Sequence, residues 1–391
     1  MIDAKTLTRN WNYPTAVRFG IGRIAELPAV CKELGMKHPL LVTDPGLRKL
    51  PMIEAALDSL RSAGLGDAVF SEIRANPVGN NVDDGVAFYK KNKCDGVIAF
   101  GGGSALDVGK TIALMSGQTR PLWDFEDRDD WFTRVVVAGV AQTIAVPTTA
   151  GTGSEVGRAS VILDEATHIK KIIFHPRMLP AVVISDPALT VGLPPRITAA
   201  TGMDAFAHCL EAYCAPGFHP LADGIALEGM RLVKEWLPVA VKDGGNLVAR
   251  AHMLAAASMG ATAFQKGLGA IHSLSHPVGA IYNAHHGETN GVVMPYVLIF
   301  NRTVIEDRIT RLSRFLGLSN PGFQGFLDWV LALRKEIGIP HTLADLGVKE
   351  SDLDILTPMA VDDPSTGGNP RPVSHAQMRQ MFVKAIRGDL S

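Results

Sequence analysis

The sequence is poor in cysteine and in surplus charge, and each shortage removes a class of protein. Four cysteines, Cys31, Cys94, Cys209 and Cys214, are spread over 391 residues without a C-x-x-C pair. A chain this long builds a core without staples, so they read as free, packed thiols in a reducing compartment, the cytoplasm. Basic and acidic residues nearly cancel, 38 against 39. No basic block offers the electrostatic footprint that a nucleic acid needs. Long apolar runs are also missing: the most apolar stretch, 135–146, is too short for a bilayer and carries Gln142 and Thr143. Residues 1–11 mix Asp3, Lys5 and Arg9 without an apolar centre, and so do not read as a secretory signal. What is plentiful is core material, 47% hydrophobic against 20% charged. That is enough to bury a large interior, and the length favours two domains.

The first half alternates short apolar runs with helical spacing. Residues 39–43, 67–70, 96–100, 143–146 and 181–184 read as strands, with helices over 52–63 and through Val82, Val86, Phe88 and Tyr89. Near-continuous runs of this kind predict a parallel sheet covered on both faces. Runs 159–163 and 171–174 lie close together around Asp164-Glu165 and suggest an antiparallel extension. After Pro194-Pro195 the texture becomes helical, over 196–213, 222–241, 248–264, 304–315 and 323–337. The expected organisation is an α/β domain over 1–194 and an all-helical domain over 195–391. A Pro/Gly/Asp-rich loop, 362–372, precedes a final helix.

Two loops leave predicted strands with small residues. Gly101-Gly102-Gly103-Ser104 opens a helix, where bare backbone and the first N–H groups suit an anion. Ser104 is a candidate N-cap, and Asp107 gives a capping-box-like spacing. Pro147-Thr148-Thr149-Ala150-Gly151-Thr152 is the second loop, with hydroxyls suited to phosphate or ribose. Asp44, ending the first predicted strand, suits the adenine ribose hydroxyls and would favour NAD over NADP; it also suits a turn before Pro45-Gly46. Each loop, read alone, also fits plain turn punctuation, and the first is not GxGxxG.

The helical half carries a denser pattern. Asp204 and His208 stand at i, i+4 on one predicted helix; His272 and His276 repeat that spacing, and His286 follows in Asn283-Ala284-His285-His286-Gly287-Glu288. A carboxylate and three imidazoles would suit Fe(II) or Zn(II). Each histidine alone also fits a hydrogen-bonded core residue. The residues between His272 and His276 are Ser273-Leu274-Ser275, so the glutamate base of a zincin is missing. Phe264, Gln265, Tyr282 and Asn283, near these ligands in sequence, are candidate pocket residues.

Taken together, Gly101–Ser104 with Asp107, the Pro147–Thr152 loop, Thr201-Gly202-Met203-Asp204 with His208, and the Gly269–Gly287 stretch resemble the iron-containing, group III, alcohol dehydrogenase family over nearly the whole chain. The resemblance implies a Rossmann-like nucleotide-binding domain plus an all-α metal-binding domain, the dehydroquinate synthase-like architecture, with the active site between them. It implies metal ligands at Asp204, His208, His272 and His286. It also implies NAD(H) contacts at Asp44, Gly102, Gly103, Ser104, Asp107, Thr148, Thr149 and Lys171, the last at the nicotinamide ribose. His276 is implied as a pocket histidine and candidate proton relay. His285 beside His286 is an ambiguity that the His-Gly step resolves toward His286. The expected enzyme moves hydride between NAD(H) and a small primary or secondary alcohol or aldehyde, with Fe(II) placed before Zn(II), as a cytoplasmic homodimer without nucleic-acid or membrane partner. A dehydroquinate synthase-like lyase, which uses a Glu/His/His metal set, and a maleylacetate reductase-like enzyme are the alternatives.

Overall fold

The computed structural model describes residues 15–167 and 169–391; the reading of 1–11 as no signal, and His168, lie outside the described residues. These fall into two compact units. One runs up to Thr149 and resumes over Gly153–Gly192; the other comprises Ala150–Thr152 and Leu193–Ser391.

The first unit is α/β. Strands β1 (Ala16–Phe19), β2 (Pro39–Val42), β3 (Ala68–Phe70), β4 (Gly96–Gly101), β5 (Gln142–Pro147) and β8 (Val182–Ser185) form one parallel sheet in the order β1-β8-β5-β4-β2-β3. Side chains alternate across it. Leu40, Val42 and Val97 pack with Val82 of α3 (Gly79–Lys91) and Ile112 of α4 (Gly103–Met115). Leu41, Ile98, Phe100 and Ile144 pack instead with Val30 of α1 (Leu27–Glu33) and Leu57 of α2 (Pro51–Ser62). Both faces are buried, which is why the central strands read as unbroken apolar runs. Edge strand β1 escaped the sequence reading for the opposite reason: Val17 and Phe19 are exposed, so no buried run marks it. Strands β6 (Ala159–Asp164) and β7 (Ile169–Phe174) pair antiparallel as expected, but as a separate two-stranded sheet.

The topology decides where a ligand can sit. From β2 the chain moves outward to β3; from β4 it moves the other way to β5. Neighbours β2 and β4 therefore flank the point where the winding reverses. Their carboxyl ends splay the following loops apart and leave the crevice that open α/β sheets use.

The second unit is helical: α5 (Pro195–Cys214), α6 (Pro220–Lys242), α7 (Leu247–Ala263), α8 (Ala270–Tyr282), α9 (His286–Phe315), α10 (Phe323–Glu336), α11 (Leu353–Val361) and α12 (His375–Arg387). Helix α5 starts with Pro195 in its first turn and is buried almost all round from Thr198 onward. Its small residues, among them Ala199, Ala200, Gly202, Ala205 and Ala207, let α6, α7 and α9 pack closely on it. Any polar group on α5 is thereby carried into the interior. Helix α9 is far longer than the predicted 304–315. Its first half holds Gly287, Gly291 and Pro295 and is buried on every side, so no polar stripe marks its period.

Candidate functional site

At the winding reversal, the ends of β2 and β4 bring Asp44 to the glycine turn. Asp44 Oδ1 accepts the Gly46 and Leu47 N–H groups, both at 2.9 Å. Its other oxygen, Oδ2, would lie 3.7 Å from a Cβ built on Gly101. One oxygen of this carboxylate thus forms the turn, and the other is left facing the glycine turn. Gly101 has φ +153°, and a Cβ there would sit 2.7 Å from that of Ala105, so no other residue fits. Thr148 donates its N–H to the Gly101 carbonyl at 3.0 Å, and the Thr149 side chain faces Gly102. Gly102, Gly103, Thr148 and Thr149 are therefore gathered at one edge, with the α4 N-terminus beside Asp44.

Two expectations at this edge need correction. Gly102, not Ser104, is the N-cap of α4; Ser104 lies inside the first turn, and its hydroxyl donates to the Ala75 carbonyl at 2.6 Å. Asp107 is not part of a capping box. Its two buried oxygens accept the Ser154 hydroxyl at 2.5 Å and the Val161 N–H at 2.9 Å, tying the 153–161 segment to α4. Lys171 is held within the β6–β7 hairpin, its Nζ 2.8 Å from Asp164 and 5.0 Å from the Trp123 ring centre.

In the helical unit, α5 supplies Asp204 and His208, α8 supplies His272 and His276, and α9 begins at His286. Asp204 Oδ1 is the hub: it lies 3.6 Å from His208 Nε2, 3.8 Å from His272 Nε2 and 3.4 Å from His286 Nε2. These separations are too long for hydrogen bonds. The 3.4 and 3.6 Å separations fall within the roughly 3.3–3.6 Å expected of donors set tetrahedrally at 2.0–2.2 Å from one ion, and the 3.8 Å one lies just beyond it; the ligand atoms of Asp204, His208 and His272 all lie within 4.8 Å of one another. Asp204, His208 and His272 are buried, whereas the side chains of His286 and His276 keep 29% and 17% exposure, so access comes from their side. Burial pushes His208 down to about 4, which leaves a neutral imidazole with a lone pair to give.

Proton bookkeeping agrees. Ser275 spends its one hydroxyl hydrogen on the His272 carbonyl at 3.2 Å, so toward His286 Nδ1, also at 3.2 Å, it can only accept. His286 Nε2 then carries the lone pair. His272 Nδ1 faces Glu211 Oε2 at 2.5 Å. Burial pushes the His272 pKa down, but the carboxylates of Glu211, Asp204 and Asp363 together raise it. The Asn290 amide donates to Asp204 Oδ1 at 2.9 Å. Three imidazoles and one carboxylate, converging this way, fit a divalent ion of the Fe or Zn type.

His286 reaches this cluster because α9 can start against α5. A Cβ on Gly287 would fall 2.1 Å from the Ala200 carbonyl oxygen. His285, by contrast, is the N-cap residue of α9. His276 stacks on His286 with ring centres 5.2 Å apart, and its Nδ1 bonds Asp363 at 2.7 Å. Against the upward push of burial, His276 and Ser365 hold the Asp363 carboxyl down at about 2. Of the pocket candidates, Phe264 lies against His208, centroids 5.0 Å apart. Gln265 donates to the Thr262 carbonyl at 2.8 Å. The Tyr282 hydroxyl donates to Asp352, and Asn283, at φ 52°, ends α8.

Glu211, Asn290 and Asp363 escaped the sequence reading. Glu211 had a signal, since it extends the Asp204–His208 face by one more turn, at i+7. Asp363 lay in a segment read only as loop. The cysteines follow expectation: all four are buried and free, and burial raises Cys31, Cys209 and Cys214 to about 12 and Cys94 to about 11.

Residues 14–187 match the model described as iron-containing alcohol dehydrogenase, and 198–386 match the C-terminal model of the same family. The 4-hydroxybutyrate dehydrogenase of Cupriavidus necator is 40% identical over 385 residues, covering 96% of this chain and 99% of that protein. The NAD-dependent methanol dehydrogenase of Bacillus methanolicus is 35% identical, covering 96% and 100%. Among solved structures, a 1,3-propanediol oxidoreductase superposes with a TM-score of 0.91 at 34% identity, covering 97% of this chain and 100% of that one. The sulfoacetaldehyde reductase from Bifidobacterium kashiwanohense, in complex with NAD+, gives 0.87 at 29%, covering 97% and 99%.

Proposed function

This chain belongs to the iron-containing alcohol dehydrogenase family, and we propose that it interconverts a small primary alcohol and its aldehyde. It is an NAD(H)-linked oxidoreductase of the alcohol dehydrogenase type, and the relatives support this over the lyase and maleylacetate reductase alternatives. The substrate class rests on chemistry shared among relatives: 4-hydroxybutyrate, methanol and 1,3-propanediol are all primary alcohols. The metal, Fe(II) first and Zn(II) second, is assigned to Asp204, His208, His272 and His286. One observation carries that assignment: a single carboxylate oxygen spaced 3.4–3.8 Å from three imidazole nitrogens.

When bound, the metal polarises the alcohol oxygen as a Lewis acid and the nicotinamide accepts the hydride. The protein's own groups do the rest. Asp44 Oδ2 is assigned to the adenine ribose and the α4 N-terminus to the pyrophosphate. Asp363 holds the proton of His276 on Nδ1, which leaves Nε2 to exchange a proton with the hydroxyl. Phe264 places an apolar ring beside the ligand set.

A cytoplasmic setting is supported by the free, buried thiols. No described helix is long and apolar enough to cross a membrane. The homodimer is carried over from the family resemblance, and sedimentation would test it. Fe(II)-loaded protein, kept from oxygen, should form NADH with a panel of primary alcohols; turnover of none of them overturns the reading.

A further inference from the structure

His272 can serve a metal only if its Nε2 is bare and its ring is aimed, and both conditions trace to Glu211. This residue stands on α5 at i+7 from Asp204 and i+3 from His208, so the three carboxylate and imidazole groups share one face. Its side chain is 6% exposed, and each oxygen has its own partner. Oε1 accepts the N–H of Ile271 at 2.7 Å, and Oε2 lies 2.5 Å from His272 Nδ1.

Ile271 sits in the first turn of α8, where backbone N–H groups have no partner inside the helix. The adjacent Ala270 N–H goes to Asn369 Oδ1 at 3.2 Å. One end of the Glu211 carboxylate thus fixes the first turn of α8, and the other fixes a ring carried by that turn. An ionised carboxylate only accepts, so Nδ1 of His272 must hold the hydrogen, which leaves the Nε2 lone pair directed at Asp204.

We infer that Glu211 is the positioning residue of the metal centre, setting the tautomer and ring orientation of His272 and through them the affinity for the ion. The inference rests on His272 being a ligand, as proposed above. It goes further by assigning a second buried carboxylate a role distinct from ligation.

Glu211→Gln separates this role from simple capping. With glutamine, the amide oxygen can still accept from Ile271, but the amide nitrogen then faces His272 Nδ1 and forces the hydrogen onto Nε2. If capping were the whole role, glutamine would suffice. The probe is Co(II), titrated into metal-free protein against a competing chelator and followed by its ligand-field absorption, with the thermal midpoint of the metal-free protein measured alongside. The expected result is affinity lowered about 10- to 100-fold in the variant, at an unchanged metal-free midpoint. Equal affinity in variant and wild type overturns the role of Glu211 while leaving the metal centre standing. Absence of Co(II) binding by the wild type overturns the metal centre itself, and the inference with it. A measurement on the wild type alone needs no folded variant: 15N NMR of the imidazoles should show His272 protonated at Nδ1, and protonation at Nε2 instead overturns the inference.

Discussion

Replacing Gly287 by alanine should weaken the metal centre while leaving every assigned ligand residue in the sequence. The added Cβ would lie 2.1 Å from the Ala200 carbonyl oxygen, 2.8 Å from its carbon and 2.9 Å from the Asp204 Cβ, where real Cβ contacts essentially never fall under 3.0 Å. The obstruction is mainly backbone, so no rotamer relieves it, and the start of α9 must retreat from α5 by about 1 Å. His286 is the first residue of α9, so its Nε2 leaves the 3.4 Å separation from Asp204 Oδ1 by a similar amount. Overpacking of this kind costs about 1–3 kcal/mol of stability, and a misplacement of about 1 Å costs roughly 100-fold in rate. The assay pairs urea unfolding of the metal-free protein with metal content and kcat/KM after Fe(II) loading. Gly287→Ala is expected to stay folded, bind metal weakly and lose activity by that factor. Full metal content and full activity in the variant would refute the claim that α9 docking places the ligand.

Three other outcomes follow from the geometry. Asp44→Gly removes the oxygen assigned to the ribose and should shift the ratio of kcat/KM for NAD over NADP at least 10-fold toward NADP, the worth of one charge-assisted hydrogen bond at about 1.5–3 kcal/mol; an unchanged ratio clears Asp44. Asp363→Asn should lower kcat about 100-fold with metal content retained, because His276 loses the group that orients it. The depressed Asp363 carboxyl contributes stability above the ordinary carboxyl pKa of about 4, and that contribution is lost as pH falls through about 2. The stability gap between wild type and Asp363→Asn, read from unfolding curves, should therefore narrow over that window. Chelation should abolish turnover and Fe(II) or Zn(II) should restore it; full activity after rigorous metal removal contradicts the site.

The parts of this molecule that were legible in sequence are those where burial imposes a period. Strands β2, β4 and β5 are buried on both faces, and their apolar runs announce them. Asp204 and His208 are legible because a helix repeats its face every three to four residues. Edge strand β1 and the buried start of α9 break that logic from opposite sides, one too exposed and the other too uniformly buried. Ser104 and Asp107 were misread because the helix begins two residues earlier than the capping pattern suggests, and because the Ser154 hydroxyl and Val161 N–H that claim Asp107 lie more than forty residues downstream. Asp363 reaches His276 across 87 residues of chain, a distance over which no spacing rule operates. Glu211 lay within reach, one helical turn beyond His208.

The most direct measurement is anomalous X-ray scattering from crystals loaded with Fe(II) or Zn(II) and cofactor. A single peak about 2.0–2.2 Å from Asp204 Oδ1 and the Nε2 atoms of His208, His272 and His286 is the expected result. A peak held by other residues, or no peak in fully active protein, would contradict the account.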